Sequence, residues 1–428
     1  MKYFSTNRKS PAVSFREASQ NGQPPDKGLY FPEQIPAVDF RNLRDKSKTE
    51  TAFALIKPYV GGSIADETLF QICSETVDFD FPLVKITDDV FALELFHGAT
   101  LAFKDVGARF MSRCLQYFSA KQGEKTIVVV ATSGDTGGAV ANGFLGVEGV
   151  EVVILYPAGK VSAVQELQLT TLGQNITALE VAGTFDDCQT LAKTALADET
   201  IKSRVFLTSA NSINVARWLP QQFYYFFALQ QWQSDEPPVV SVPSGNFGNI
   251  CAGLLAERSG LPVKHFIAAC NANDAISQYL QSGEMISKAA VATLSNAMDV
   301  AAPSNFVRIL ELFGGDVEKL KSKISVAAVS DDITAETMRR VYEKYNYILD
   351  PHAAVAFYAL ERRLEQNPVE KGIFLATAHP VKFDSVKEIV GTFGETPAAI
   401  KELFSRPKQT IEMSVDYEQL KEILLSKI

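Results

Sequence analysis

A single lysine stands in an otherwise mostly apolar stretch, LAFKDVGARFM, which begins at Leu101. The pattern predicts a helix that starts close to Lys104, where the positive end of the helix dipole disfavours an ammonium ion. A dry, electropositive helix start makes the neutral amine available as a nucleophile and base. A lysine that only extends its ammonium group to solvent from an apolar neighbourhood explains the same stretch.

Two further segments each join a β-branched run to a helical pattern through a turn of small residues. The first, VVVATSGDTGGAVANGF, begins at Val128, and the second, VVSVPSGNFGNICAGLLAE, begins at Val239. Backbone N–H groups at such helix starts bind anions. Neither turn has the spacing of a Walker A motif or of a GxGxxG fingerprint, and a tight turn without a ligand explains the first one equally well. The two together predict one ligand with two anionic groups, or two ligands.

Two polar segments follow other predicted elements. In SANSINVARW, Asn211, Ser212 and Asn214 are typical helix caps, and the guanidinium of Arg217 suits phosphate or carboxylate, although a surface arginine behind caps has the same pattern. In FLATAHPVKF, Thr377 follows a buried-looking strand, where ligands of open α/β sheets collect. The four histidines are interpreted as packed or capping side chains. No metal-ligand spacing and no GxSxG elbow is present.

A carbonyl cofactor that bears a phosphate joins the unusual lysine to an anion-binding turn. Pyridoxal phosphate has this chemistry, because its aldehyde forms a Schiff base with lysine and its ring stores carbanion charge.

The elements that must position these residues follow an alternating pattern. Short apolar runs such as TIVVVA, VEVVILY and NITALEV alternate with helices predicted to start at Gly138, Ser162 and Phe185, and the alternation resumes from PPVVSVPS with helices predicted at Phe247 and Asp274. This is the βαβ pattern of parallel sheets. We therefore predict two open parallel-sheet α/β domains, approximately 86–225 and 226–428, and an N-terminal cap domain over 1–85.

The bulk composition excludes several classes of protein. The chain has 428 residues, a formal charge of −9 and no basic stripe, which argues against nucleic-acid binding. No apolar run is long enough to span a membrane, and the N-terminus lacks the apolar core of a signal peptide, so we expect a cytoplasmic protein. Five widely spaced cysteines without a CxxC pair favour reduced, buried thiols. The oligomeric state, monomer or homodimer, is left open.

Taken together, these segments resemble the threonine synthase family of fold-type II pyridoxal-phosphate enzymes, in the branch of enteric bacteria and fungi. The similarity extends over nearly the whole chain, and the shared motifs are GLYFPEQIP, LELFHGATLAFKDVGARFM, VATSGDTGGAVA, SANSINVAR, VPSGNFGN, LSNAMDV, DPHAAVA and TAHPVKF. The resemblance implies the tryptophan synthase β-like architecture. It also implies conversion of O-phospho-L-homoserine and water to L-threonine and phosphate.

The resemblance further implies roles for individual residues. Lys104 would carry the cofactor, and Thr377 would bond to its pyridine nitrogen. The cofactor phosphate would be bound by Ser244, Gly245, Asn246, Phe247 and Gly248. The substrate carboxylate would be bound by Thr132, Ser133, Gly134, Asp135 and Thr136, and the substrate phosphate by Asn211, Ser212 and Arg217.

Two residues depart from the expected pattern. Ala99 replaces a proline in the turn before Lys104, which removes a rigid element. Asp135 stands where many relatives have an asparagine, and an ionised aspartate only accepts hydrogen bonds, so it is interpreted as fixing its own loop through backbone N–H groups. Asp105 is interpreted as the N-cap of a helix from Val106.

Other functions remain open at this point. A phospho-lyase that forms 2-oxobutanoate shares the elimination step, and a hydroxy-amino-acid dehydratase shares the fold but needs no phosphate site. A non-catalytic phosphate-ligand-binding relative is a third alternative, which the retention of Lys104 argues against.

Overall fold

The computed structural model describes residues 1–122, 125–284 and 289–428. The strands, in chain order, are β1 (Lys2–Ser5), β2 (Val13–Ser14), β3 (Tyr30–Pro32), β4 (Leu83–Lys85), β5 (Val90–Glu94), β6 (Thr126–Ala131), β7 (Val150–Pro157), β8 (Ile176–Val181), β9 (Phe206–Ser209), β10 (Val239–Pro243), β11 (His265–Cys270), β12 (Ile324–Ala328), β13 (Gly372–Ala376) and β14 (Ile411–Met413).

The α-helices are α1 (Phe15–Asn21), α2 (Lys48–Val60), α3 (Asp66–Thr76), α4 (Lys104–Gln122), α5 (Asp135–Phe144), α6 (Ala163–Thr170), α7 (Phe185–Ala197), α8 (Glu199–Lys202), α9 (Val215–Trp218), α10 (Phe223–Gln231), α11 (Gly248–Ser259), α12 (Ala275–Ser282), α13 (Phe306–Leu312), α14 (Val317–Lys323), α15 (Asp331–Tyr345), α16 (Pro351–Gln366), α17 (Asp384–Val390), α18 (Ala398–Leu403) and α19 (Tyr417–Leu425). Short 3-10 helices cover Phe40–Leu43, Leu219–Gln222, Asn296–Met298 and Pro380–Lys382.

Two sheets provide the framework of the predicted α/β fold. One has the strand order β14-β8-β7-β6-β9 and is parallel throughout, and the other has the order β12-β11-β10-β13-β5-β4, with only β4 antiparallel to its neighbour. Strands such as β6 are β-branched and fully buried because helices cover both faces of a parallel sheet. The predicted fold class is confirmed.

The N-terminal elements form their own three-stranded antiparallel sheet, in the order β2-β1-β3. They do not have a separate core, because the Phe15 ring packs against Phe110 and Phe118 of α4, with centroids 6.4 and 6.5 Å apart. The buried guanidinium of Arg308 donates to the Tyr30 carbonyl oxygen at 3.0 Å and to that of Ile213 at 2.6 Å, which ties β3 to the α/β part. The N-terminal segment is therefore anchored to the elements that carry the predicted site.

The chain crosses between the two sheets. Strand β5 precedes the five-stranded sheet in sequence but pairs with β13 in the six-stranded one, and β14, close to the C-terminus, pairs with β8. The division at residues 85 and 225 stays a prediction, and these crossings are the reason why no single cut of the chain separates the sheets.

The first residues of the helices in the structure can be compared with the helix starts predicted from the sequence. Ser162 caps α6 and α7 starts at Phe185, as predicted. The start predicted at Gly138 is wrong by three residues, because Gly134, with φ 136°, already turns the chain into α5. Asp105 is not an N-cap, since α4 starts at Lys104. In the described ranges, no helix combines the length and the apolar character that a membrane span requires.

Candidate active site

Lys104 is held in place by a short pairing with the end of β13. The Phe103 N–H donates to the Thr377 carbonyl oxygen at 2.9 Å, and the His379 N–H donates to that of Leu101 at 3.0 Å. Leu101 has a φ of 56°, a conformation that branched side chains rarely adopt and that sharply turns the chain into α4. Lys104, the first residue of α4, thus lies beside the carboxyl end of β13. Thr377 directly follows this strand, as predicted.

The environment of Lys104 favours a neutral amine. Its side chain is 18% exposed, its Nζ lies 4.0 Å from Asp135 Oδ2, and the Phe103 ring covers it at 5.7 Å. Burial lowers the pKa of Lys104, Asp135 opposes this effect, and the nearby charges of Lys382 and Arg217 lower the pKa further. An amine with a depressed pKa is a better nucleophile and base near neutral pH.

The first glycine-rich turn is organised by one threonine. The Thr132 hydroxyl oxygen accepts from the N–H groups of Gly134 at 3.0 Å and Gly137 at 2.8 Å. A side chain at Gly134 would be strained, because its φ is 136° and a Cβ there would lie 2.4 Å from Gln165 Cδ. Thr132 therefore shapes the turn from within, and its hydroxyl is occupied by the backbone.

The free hydrogen-bond donors of this turn are backbone N–H groups of other residues. Within the described ranges, the backbone N–H groups of Ser133, Asp135 and Thr136 have no acceptor. They lie at the start of the ten-residue helix α5, whose dipole favours an anion. This turn has the donors that a carboxylate needs.

Asp135 is buried and surrounded by side-chain donors. Its Oδ1 accepts from Gln165 Nε2 at 2.9 Å and lies 2.8 Å from Lys382 Nζ. Burial alone would raise the pKa of Asp135, but the charges of Lys382 and Lys104 lower it below its usual range. The expectation that Asp135 fixes its loop through backbone N–H groups is wrong, because side chains from two other segments fill that role.

The second glycine-rich turn is shaped by backbone contact. A Cβ on Gly245 would lie 2.5 Å from Met298 Cα, so this position accepts only glycine without a shift of the backbone. Phe247 has a φ of 59° and stands immediately before α11. The Ser244 hydroxyl donates to the Val242 carbonyl oxygen at 2.8 Å, so its proton is directed at the strand and not into the turn.

Four consecutive N–H groups of this turn are unused. No described residue accepts from the backbone N–H groups of residues 245–248, and they precede the twelve-residue helix α11. The donors, the dipole and the space that a Cβ at position 245 would fill fit a phosphate group.

Two segments to which no role was assigned, LSNAMDV at residues 294–300 and DPHAAVA at residues 350–356, support this turn from behind. The Ala297 N–H donates to His352 Nε2 at 3.2 Å, so the ring proton lies on Nδ1, which is 2.7 Å from Asp350 Oδ1. This pair holds the 3-10 turn in which Met298 presses against Gly245. The sequence does not predict this contact, because the two segments are distant in the chain.

The third predicted loop lies next to the second turn. Ser212 Oγ accepts from Asn246 Nδ2 at 2.7 Å, which joins the two predicted phosphate loops. Arg217 is buried and not a surface residue; burial lowers its pKa to about 10, against the opposing charge of Asp105. Its Nη1 donates to the Ala210 carbonyl oxygen at 2.5 Å.

The residues predicted to bind phosphate in this loop include two buried polar atoms that have no hydrogen-bond partner among the described residues. They are Asn211 Oδ1 and Arg217 Nε. An unsatisfied buried donor on a guanidinium is costly unless a ligand completes it, so Arg217 is suited to an anion. Thr377 is only 6% exposed, and its hydroxyl makes no hydrogen bond to another described residue.

The remaining ionisable candidates have structural roles. His379 Nδ1 accepts from the Val381 N–H at 3.1 Å and caps the 3-10 helix that follows β13. All five cysteines are buried and free. Over the described ranges, no group of three His, Cys, Asp or Glu side chains is arranged to hold a metal ion. Lys160 is exposed.

Comparison with known proteins matches three families along this chain. "Threonine synthase N terminus" matches residues 2–77, "Pyridoxal-phosphate dependent enzyme" matches residues 81–377, and "Threonine synthase, C-terminal" matches residues 353–424. Threonine synthase of Serratia marcescens is 42% identical and aligns over 99% of each chain.

Solved structures agree with these matches. The crystal structure of threonine synthase from Escherichia coli superposes with a TM-score of 0.93 at 41% identity over 100% of both chains. The pyridoxal-phosphate-bound threonine synthase from Brucella melitensis has a TM-score of 0.93 at 36% identity, with 99% of this chain and 98% of that chain covered. A tomato threonine deaminase, with a TM-score of 0.57 at 17% identity, shares the fold alone.

Fold and site together define a fold-type II pyridoxal-phosphate-dependent enzyme. Its cofactor is pyridoxal phosphate, which fits the free donors of the second turn and the buried amine of Lys104. Within that class, the chain belongs to the threonine synthase family. The predicted family and cofactor are confirmed.

Proposed function

We propose that this chain is a lyase of amino-acid biosynthesis that converts O-phospho-L-homoserine and water to L-threonine and phosphate. The observation that carries the proposal is the Lys104 amine, on a side chain 18% exposed, which lies 4.0 Å from Asp135 of the first turn, in a chain whose second turn also has free N–H donors. The enzymes of known name that align over the whole chain support the reaction. The proposal includes a cytoplasmic location, which suits five free thiols.

The cofactor would be held at three points. Lys104 supplies the amine for its aldehyde, residues 244–248 supply four N–H donors for its phosphate, and the Thr377 hydroxyl bonds to its ring nitrogen. Pyridoxal phosphate supplies the electron sink that stabilises negative charge at substrate carbons. A neutral hydroxyl at the ring nitrogen does not enforce a protonated ring, so Lys104 must handle more of the proton transfer.

The substrate would be held by its two anionic ends. The turn from Thr132 to Thr136 binds the carboxylate through the free N–H groups at the start of α5. Asn211, Ser212 and Arg217 bind the phosphate, where Arg217 Nε is a buried donor without a partner among the described residues. Because Arg217 is desolvated, its bond to a phosphate oxygen is stronger than that of an exposed arginine.

Lys104 would then move protons. Its neutral amine would remove the proton from the substrate α-carbon and subsequently transfer protons at the β-carbon. Phosphate leaves from the γ-carbon, which gains a proton in its place, while the β-carbon loses a proton and gains the hydroxyl of water, and a proton returns to the α-carbon. The low exposure of Lys104 keeps bulk water from competing for these protons.

The test is incubation of the cofactor-loaded protein with O-phospho-L-homoserine. We expect threonine and phosphate in equal amounts, resolved by chromatography from 2-oxobutanoate and ammonia. The cofactor-free protein is the control. Formation of 2-oxobutanoate, ammonia and phosphate instead would identify a phospho-lyase, and a protein that binds the substrate without turnover would be a non-catalytic relative.

A further inference from the structure

Lys382 is a fully buried lysine. Its side chain is 0% exposed, and it ends the 3-10 helix that follows β13. Lysines are almost never fully buried unless they are paired, because an ammonium loses its hydration there. Its Nζ donates to the Thr100 carbonyl oxygen at 2.7 Å and lies 2.8 Å from Asp135 Oδ1.

Asp135 therefore stands between two lysines at unequal distances. Its Oδ1 lies 2.8 Å from Lys382 Nζ, whereas its Oδ2 lies 4.0 Å from Lys104 Nζ. Gln165 Nε2 adds a further hydrogen bond to Oδ1 at 2.9 Å. The carboxylate is thus engaged on the side away from Lys104.

The other charged groups near Lys104 cannot replace this arrangement. Arg217 is a cation, and it faces Lys104 from α9. Asp105 is an acid, but its carboxylate accepts from the Thr100 N–H at 2.8 Å and from the Thr100 hydroxyl, which holds it away. Asp135 is therefore the carboxylate that decides whether Lys104 has a partner.

We propose that Lys382 is a positioning residue that holds the Asp135 carboxylate away from Lys104, so that the Lys104 amine stays available to the aldehyde and to substrate protons. The inference rests on the role proposed above for Lys104. Without Lys382, the buried Asp135 would have a single cationic partner within reach among the described residues, the Lys104 ammonium. Pairing with Asp135 would favour that charged form, which has no lone pair to attack an aldehyde.

The same lysine fixes the turn that leads to Lys104. Thr100 stands after Ala99, where the family pattern has a proline, and its carbonyl oxygen accepts from Lys382 Nζ and from Gln168 Nε2, the latter at 3.0 Å. These two bonds restrain the turn that lacks the rigid ring. The directions of the pKa shifts agree with this inference, since Lys382 opposes the effect of Asp135 on Lys104.

The experiment measures how fast Lys104 captures pyridoxal phosphate as a function of pH. Full-length protein purified without cofactor is mixed with pyridoxal phosphate, samples are reduced with borohydride, and the pyridoxyl group on the Lys104 peptide is quantified. The neutral amine forms the C=N bond and one water leaves, so the midpoint of the rate profile reports the protonation of Lys104. The titrations of the cofactor itself are common to all variants, so only differences between them are interpreted.

Three variants separate a positioning role from a structural one. Lys382→Met should raise the midpoint by about one pH unit or more, which slows capture near neutral pH about tenfold. Lys382→Met combined with Asp135→Asn should return the midpoint towards the wild type, because the uncompensated carboxylate is then absent. Asp135→Asn alone should lower it. Lys408→Met, which removes a half-exposed lysine paired with Glu166 and Glu180, is the control and should not move it.

The outcomes are distinct. A folded Lys382→Met protein with an unchanged midpoint, or a double variant that fails to restore it, overturns the proposal. If Lys382→Met does not fold, Lys382→Gln replaces it with the same expected rise, and an unchanged midpoint in that folded variant also overturns the proposal. Absence of pyridoxyl on Lys104 in the wild type would instead refute the proposed role of Lys104 itself.

Discussion

The two glycine-rich turns of this molecule have the same architecture and different contents. Each follows a buried parallel strand, starts a helix and presents backbone N–H groups without an acceptor among the described residues. The turn at 132–138 contains Asp135, which is buried between Lys104 and Lys382. The turn at 244–248 contains no charged residue and is shaped by contact of its backbone with Met298.

The difference shows how the same arrangement, a glycine-rich turn at a helix start, can suit two different anions. A turn of neutral donors at a helix start is suited to a phosphate that stays bound, because its interactions do not change with protonation. A turn that carries a compensated carboxylate 4.0 Å from an amine responds to the charge on that amine. The uncharged turn is therefore suited to retention of the cofactor, and the charged one to the carboxylate end of the substrate, next to the α-carbon.

The largest expected effect is at Lys104, beside the charged turn. Lys104→Ala should lower threonine formation by at least on the order of 10²- to 10⁴-fold, the usual contribution of a general acid–base group. The cofactor should still bind through the uncharged turn, which dialysis and absorbance would measure. Substantial threonine formation by this variant would show that proton transfer resides elsewhere.

Arg217 tests whether the substrate has an anion site separate from both turns. Arg217→Ala should weaken the binding of O-phospho-L-homoserine by roughly 1.5 to 3 kcal/mol, the value of a hydrogen bond to a charged group, and leave cofactor affinity unchanged. Titration of both ligands measures this, with thermal unfolding as a check because Arg217 Nη1 also bonds to Ala210. Equal losses for the two ligands would assign Arg217 to the cofactor phosphate.

Gly245 tests the uncharged turn directly. Gly245→Ala places a Cβ 2.5 Å from Met298 Cα, so the turn must open, and we expect cofactor affinity to fall at least about tenfold, or about 1.4 kcal/mol. Gly138→Ala in the charged turn is the matched control, since its Cβ would meet only the flexible Gln168 side chain, at 3.3 Å. Similar losses in both variants would mean that the contact with Met298 does not shape the phosphate site.

The smallest expected effect is at Ser244. Its hydroxyl donates to Val242 and leaves the phosphate to backbone donors, so Ser244→Ala should weaken cofactor binding by only about 1 kcal/mol, the value of one ordinary hydrogen bond. Ser241→Ala, which removes a buried hydroxyl bonded to the Ala356 carbonyl oxygen in the same strand, controls for stability. A loss as large as that of Gly245→Ala would indicate that the hydroxyl rotates onto the phosphate.

Local patterns predicted much of the fold and of the candidate site. The alternation of β-branched runs and helices was sufficient to predict the parallel sheets, because covered strands must be apolar throughout. The start of α5 was predicted three residues late, since nothing in TSGDTGG shows that Gly134 already adopts a φ of 136°. Asp105 was assigned to a helix cap because a sequence does not show that its carboxylate turns back to Thr100.

The sequence by itself determined which turns have the small residues of an anion site, where Lys104 stands and which family the chain resembles, because each depends on residues that are neighbours in the chain. Only the tertiary structure decided which side chains surround that lysine. Lys382 and Asp135 lie in segments far apart in sequence, and they meet because parallel strands of both sheets bring their carboxyl ends to one place. A buried charge is stable only with a partner, so this convergence, and not any local pattern, makes a fully buried lysine possible.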